Sequence, residues 1–330
     1  MLLLAGLAAC VIADYWAYPW LAGEGGRSLN AGENGLWLRY WWYFGQRSEG
    51  DLERLAAELP RDQIRYAYFH VRSVAADGTL HFHYPAQARR LTAFLHQRAP
   101  SVKLLAWVYV GNRRGQGEVE LASVAVRRAM VREALWLVRE CGFDGVQWDY
   151  EVCPDGDPQF LRLMRETRQA LPESAILSAA VPMWGPGPIR QAGWGWSEGY
   201  FQQVAGTCNQ LAVMCYDSGM VMPRWYVWLV REQAVRVPRA VRAGSSRCQV
   251  LFGVPTYEDG TRSHNPRAEN IRLALKGLRE GLANAGPLGP VGVAVFAEYT
   301  TDAEEWATYR RMWLGEGAGR GRNPVSPAAQ

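Results

Sequence analysis

The chain has 330 residues, of which 48% are hydrophobic and 21% charged, and its formal net charge is +4. That is enough apolar material for a large core, and it excludes a chain disordered over most of its length. The 36 Lys and Arg are scattered rather than gathered in a stripe, so nucleic acid is not an expected partner.

Residues 1–25 open with MLLLAGLAACVIADYW, an apolar run short for a bilayer span and of the length of an export-signal core. Within it, Leu7-Ala8-Ala9-Cys10 resembles a bacterial lipoprotein box, implying an exported, cell-envelope protein tethered to a membrane through lipidated Cys10. The lack of Lys or Arg near Met1 favours the other reading, a first segment buried on the fold of a cytoplasmic protein. With Cys10 lipidated, Cys141, Cys153, Cys208, Cys215 and Cys248 remain, an odd set that leaves a thiol free or pairing between chains. None has metal-ligand spacing, and there is no Walker loop, GxGxxG or HExxH, so neither metal nor nucleotide cofactor is expected.

From 26 to 314, strand-like runs alternate with helical ones. The strands are expected at 35–44, 64–71, 102–110, 145–151, 176–184, 210–217, 249–257 and 291–299. Between them, 123–141 carries Val126, Met130, Ala134, Leu137 and Cys141 on one helical face and stops at Gly142. Residues 158–171 open with Pro158 in a first turn, and 265–286 has Asn265 as its expected cap. Eight strands in a strict α/β alternation predict one (β/α)8 TIM barrel. Residues 315–330 are rich in Gly, Pro and Ala and are expected to be a disordered tail.

The segment FDGVQWDYE, 143–151, holds the chemistry. Strand alternation puts Gly145, Gln147, Asp149 and Glu151 on the interior face, with Val146, Trp148 and Tyr150 against the helices. Acids inside a barrel are costly, and active sites of such barrels sit where the strands end. A structural network of carboxylates closing the barrel is the competing explanation of this cluster.

DGVQWDYE resembles the DxxDxDxE signature of family 18 glycoside hydrolases, the chitinases and their relatives, with Asp144, Asp149 and Glu151 matching and Gln147 departing. IRYAYFHVRSVAADGTL and VKLLAWV are similar to that family's second and third strands, LAVMCYDSG to its MxYD strand, GVPTYED to its seventh and GVAVFAEYTTD to its eighth. The resemblance implies a glycan with N-acetylated sugars, chitin-like or peptidoglycan-like, as substrate, cleaved with retention by attack of the sugar's own acetamido oxygen. In that scheme Glu151 protonates the leaving oxygen, its pKa raised by partial burial and by Asp149, while Asp149 orients the acetamido group and Tyr216 donates to its oxygen.

The resemblance further places Asp144, Gln147, Met214, Asp217 and Tyr257 in the substrate site, with Phe296 where the family has a Trp floor under the reacting sugar. Tyr68, His70 and Arg72 on the second strand and Trp184 after the fifth are candidates to line the same mouth. Because an amide cannot share a proton, Gln147 is expected to leave Asp149 anionic through turnover. Glu298, if some 5 Å from Glu151, would permit a two-carboxylate retaining mechanism instead. A non-catalytic glycan-binding or envelope protein on the same barrel is the alternative from another class: Gln147 and Phe296 favour it, and the retained Glu151 favours the enzyme.

Overall fold

A computed structural model describes residues 2–21, 28–111, 119–151, 153–191, 193–285, 289 and 291–316. Eight parallel strands close in chain order: β1 (Asn34–Leu38), β2 (Ile64–Ser73), β3 (Lys103–Tyr109), β4 (Gly145–Asp149), β5 (Ile176–Val181), β6 (Gln210–Met214), β7 (Gln249–Pro255) and β8 (Val291–Phe296). The expected (β/α)8 barrel is thus the observed one, and β8 returns to β1 through the Gly35–Ala294 and Leu36–Val295 pairs.

Helices α1 (Leu2–Leu21), α2 (Glu49–Arg61), α3 (Pro85–Arg98), α4 (Val124–Arg139) and α5 (Pro158–Ala170) are followed by α6 (Gly187–Gln191), α7 (Glu198–Ala205), α8 (Pro223–Gly244), α9 (Ile271–Asn284) and α10 (Ala303–Tyr309). Their starts follow local chemistry. The Ser48 hydroxyl accepts from the Asp51 N–H while the Asp51 carboxylate accepts from the Ser48 N–H, and Asp302 and Glu305 make the same reciprocal box. Asp157 caps α5 ahead of Pro158. Helix α9 starts later than the sequence suggests: Asn265 sits in a turn, and Asn270 caps the helix by accepting from the Leu273 N–H.

Every strand but β2 ends before its expected run does. The run after Leu38 leaves the sheet and coils back, with the Phe44 N–H donating to the Tyr40 carbonyl, so its aromatics pack over the barrel rim. Strand β5 ends at Val181, three residues before Trp184, and β8 ends at Phe296, where a cis peptide leads to Ala297.

Two apolar layers hold the fold. The outward-facing Trp148 of β4, with Phe160 of α5 and Leu137 of α4, fills the space between strands and helices, and the Trp148 indole N–H donates to Thr167 Oγ1 at 3.1 Å, tying β4 to α5. Inside the barrel lie Trp37, Tyr66, Tyr68, Leu105, Trp107 and Leu251. Each fully buried large side chain of this kind contributes about 1.5–3 kcal/mol relative to exposure. Gly253 makes room for the inner aromatics, since a Cβ there would lie 2.9 Å from Tyr216 and 3.3 Å from Trp37.

Cys141, Cys153, Cys208, Cys215 and Cys248 are buried free thiols, and the Sγ atoms of Cys208 and Cys248 lie 3.8 Å apart. The side chain of the expected lipidation site, Cys10, and residues 317–330 of the expected tail lie outside the described residues. No helix among the described residues is long and apolar enough to cross a membrane.

Candidate active site

The register of β3, β4, β5 and β6 stacks polar side chains in layers. Trp107 lies opposite Gln147 and Tyr109 opposite Asp149, while Gln147 faces Ser178 and Ser178 faces Gln210. In the lower layer the Trp37 indole donates to Gln147 Oε1 at 2.8 Å and Gln147 Nε2 donates to Ser178 Oγ at 3.0 Å. Ser178 and Tyr68 in turn donate to Gln210 Oε1 at 2.9 and 2.6 Å. The amide of Gln147 is therefore spent on the barrel interior.

One layer higher, Asp149 is 2% exposed. Its Oδ2 accepts from the Trp107 indole at 2.7 Å, and its Oδ1 has no hydrogen-bond partner among the described residues. Burial drives its pKa well above the usual carboxylate range, the Glu151 charge adds to this, and the Trp107 bond opposes it. Burial therefore acts against the charged form of Asp149, opposite to the direction expected from the replacement of a neighbouring acid by Gln147.

Glu151 follows the last residue of β4 by two and is exposed. Its pKa is pushed up by desolvation at the barrel mouth and then by the Asp217 charge, an effect tempered by the water that reaches it. Beside it, Tyr109 is raised to about 12 by burial and by the Glu151 and Asp149 charges. Asp217, from the loop after β6, thus acts on Glu151 in addition to Asp149, whose own pKa the Glu151 charge raises.

Aromatic rings pave the mouth. Phe296 stacks on Tyr216 with centroids 4.7 Å apart and meets Trp37, Trp107 and Tyr257 edge-on at 5.6 to 6.1 Å. His70 stacks on Trp107 at 4.1 Å, and its pKa falls to about 3 through burial and through Arg72 and Arg39. Met214 is half-buried where β6 ends, Tyr216 is buried, and Asp217 is exposed with a left-handed backbone, φ 54°. Burial and the adjacent Asp217 raise the pKa of Tyr257.

The loop carrying Tyr216 and Asp217 is anchored from beneath. Glu269, fully buried, accepts from Ser218 Oγ at 2.6 Å, from the Ser218 N–H at 3.2 Å and from the Met220 N–H at 3.3 Å. His264 Nδ1 lies 3.4 Å from the same carboxylate, and its ring stacks on Tyr257 at 4.0 Å.

Glu151, Asp149, Tyr216, Met214, Asp217, Tyr257 and Phe296 therefore gather at the mouth, while five expected residues do not. Asp144 lies at the opposite end of β4, roughly 17 Å from Asp149 at ~3.3 Å per residue, where it accepts from the Leu104 N–H and pairs with His96 and Lys103. Gln147 and Tyr68 are wholly buried below the aromatic layer and cannot touch a substrate. Trp184 is turned to α8: its backbone is held by the Gln233 amide, and Arg236 lies 4.4 Å over its ring. Glu298 follows the turn after β8 into a recess between β1, α2 and α10, with Arg47 at 4.0 Å, so it is no partner for Glu151.

Trp37, Trp107 and Tyr109 escaped the sequence reading, although their alternate positions on β1 and β3 were visible in it. His264 and Glu269 carry no signal at all, because their role rests on contacts between loops distant in sequence. Among the described residues no group of three or more His, Cys, Asp or Glu is placed to hold a metal ion.

A family model described as glycosyl hydrolases family 18 matches residues 39–310. A search of curated proteins gave no match. Among solved structures the chain is similar to a chitinase from Chromobacterium violaceum ATCC 12472, at 16% identity over 84% of this chain and 98% of that one, with TM-score 0.58. A Bacteroides thetaiotaomicron chitinase aligns at 13% identity over 88% and 99%, TM-score 0.58. The Bacillus cereus spore cortex-lytic enzyme SleL aligns at 12% identity over 87% of this chain and 75% of that one, TM-score 0.59. At such identities these neighbours speak for the fold, whereas the family match spans most of the barrel, so the chain belongs to glycosyl hydrolases family 18 and is a chitinase-like glycosyl hydrolase.

Proposed function

We propose that the protein cleaves a glycan beside an N-acetylated sugar, with retention of anomeric configuration and with Glu151 as the general acid. The observation that carries this reading is the pairing of an open carboxyl, Glu151, two residues past the end of β4, with a buried one, Asp149, that closes the strand, both with raised pKa. Names of structural neighbours, chitinases and a cortex-lytic enzyme, support a chitin-like or peptidoglycan-like polymer.

In the first step the acetamido oxygen bonds to the anomeric carbon as the bond to the bridging oxygen breaks, and Glu151 delivers its proton to that oxygen. Asp149 faces the acetamido nitrogen and Tyr216 its oxygen, where positive charge develops on the ring. In the second step Glu151, now a carboxylate, takes a proton from water as the water oxygen bonds to the anomeric carbon and the acetamido oxygen leaves. Phe296 and Tyr216 offer the sugar an apolar floor. With Glu298 turned away, the two-carboxylate alternative has no support from that residue.

The test is product stereochemistry on matched oligomers. Proton NMR of the first product should show the retained anomer from an N-acetylglucosamine oligomer, and no turnover of the glucose counterpart. Inversion, or equal turnover of both, contradicts the reading. We also propose that the protein works outside the cytoplasm, with residues 1–25 as its export or anchoring segment; cell fractionation that finds it wholly in the cytosol contradicts this.

A further inference from the structure

We propose that the face formed by the end of α1 and the start of α8 docks on a lipid bilayer, independently of any lipid on Cys10. Trp16, Trp20 and Leu21 of α1, Val221 just before α8, and Trp225 and Trp228 in its first turns are all exposed, with Trp20 at 78% and Trp225 at 59%. Three of them are contiguous: Leu21, Trp225 and Trp228 line, with Tyr18, one groove of about 620 Å³. Isolated exposed apolar side chains need no explanation, but a joined patch of this kind marks a contact surface.

The helix carrying half of the patch is held in place. Arg224 forms a two-pronged pair with Asp14, with contacts of 2.6 and 3.0 Å, and covers the Tyr18 ring at 4.2 Å. Arg267 lies 3.8 Å over Trp16 and donates to its backbone carbonyl at 3.2 Å. Asp14 is the one charged residue among positions 2–21, and its charge is answered by Arg224. Apart from Asp14, positions 11–21 carry no charged side chain.

Two features select a bilayer as the occupant. Tryptophan and tyrosine with arginine or lysine alongside are the side chains that favour the headgroup zone, and Arg224, Arg231 and Lys276 rim the groove, paired with Asp14 at 2.6 Å, Glu232 at 3.7 Å and Glu280 at 2.8 Å. A glycan would stack on the rings but gains nothing from the aliphatic Leu21 and Val221. Since α8 begins six residues after Asp217, the patch flanks the open mouth of the barrel, and docking would hold that mouth next to the membrane surface.

The test is flotation of the full chain with phosphatidylcholine vesicles, with and without phosphatidylglycerol, comparing wild type with a Trp225→Ser, Trp228→Ser double variant. We expect wild type to float with both vesicles, and the variant to partition roughly tenfold or more weakly. Both changes are on the surface, and far-UV circular dichroism checks that the variant folds. Quenching of wild-type tryptophan fluorescence by brominated lipid gives a readout free of mutation. Absence of wild-type flotation or quenching overturns the proposal, as does a variant that floats like wild type while losing adherence to insoluble chitin or losing self-association in vesicle-free sedimentation.

Discussion

Trp107 donates its indole N–H to Asp149 Oδ2 at 2.7 Å, and the other oxygen of that carboxyl has no partner among the described residues. One donor thus sets how strongly a dry carboxyl holds its proton. Because this bond favours the charged form, Trp107→Phe should raise the Asp149 pKa further. The loss of an ordinary hydrogen bond, about 0.5–1.5 kcal/mol, predicts a roughly 2- to 13-fold fall in kcat/KM with the acid limb moved to higher pH. A pH–rate profile of the variant checks both.

Asp149 also links activity to stability. Its folded pKa lies above its unfolded value, so its contribution to stability is fully present below an unfolded pKa of about 4 and is lost as pH rises through the folded value. Glu151 acts in the same direction and more weakly, since water reaches it. Asp149→Asn should therefore be less active yet show a higher Tm than wild type at neutral pH, the gap closing near pH 4. Thermal melts across the pH range measure this.

The Gln147 amide joins Trp37 to Ser178 in a closed interior network. Gln147→Asp introduces a shorter, ionisable side chain that loses the donor to Ser178. A buried polar group left unpaired costs about 1–3 kcal/mol, so the midpoint of urea unfolding should fall. The pH–rate profile should gain an additional ionisation coupled to Asp149; an unchanged profile contradicts the coupling.

Glu269 fixes the Tyr216–Asp217 loop through two backbone N–H groups and one hydroxyl. Glu269→Gln removes the charge from these bonds while preserving shape, and should raise KM more than it lowers kcat because the loop loosens in the free enzyme. Steady-state kinetics with a soluble oligomer, alongside hydrogen exchange over 215–222, checks this.

The barrel was legible because its strands are apolar runs at regular intervals and its helices carry a 3.6-residue stripe, patterns that burial imposes locally. The mouth was legible where it sits on strands: Asp149 and Phe296 follow from alternation, and Glu151, two residues past β4, from the family's motif. What failed came from the third dimension. Asp144 matches the family signature yet lies at the other end of β4, because one strand runs the whole height of the barrel. Glu298 and Trp184 lie beyond their strands' ends, at Phe296 and Val181, where alternation no longer says which way a side chain turns. The Glu269–His264 anchor joins loops some fifty residues apart, and no local pattern announces it.

The central claim is the proton at Glu151, and hydrolysis of an aryl N-acetylglucosamine oligomer by wild type and Glu151→Gln tests it most directly. The account predicts turnover by wild type and a loss of about 10² to 10⁴ in kcat in the variant, with oligomer binding retained. Equal hydrolysis by the two proteins, or none by either, would contradict it.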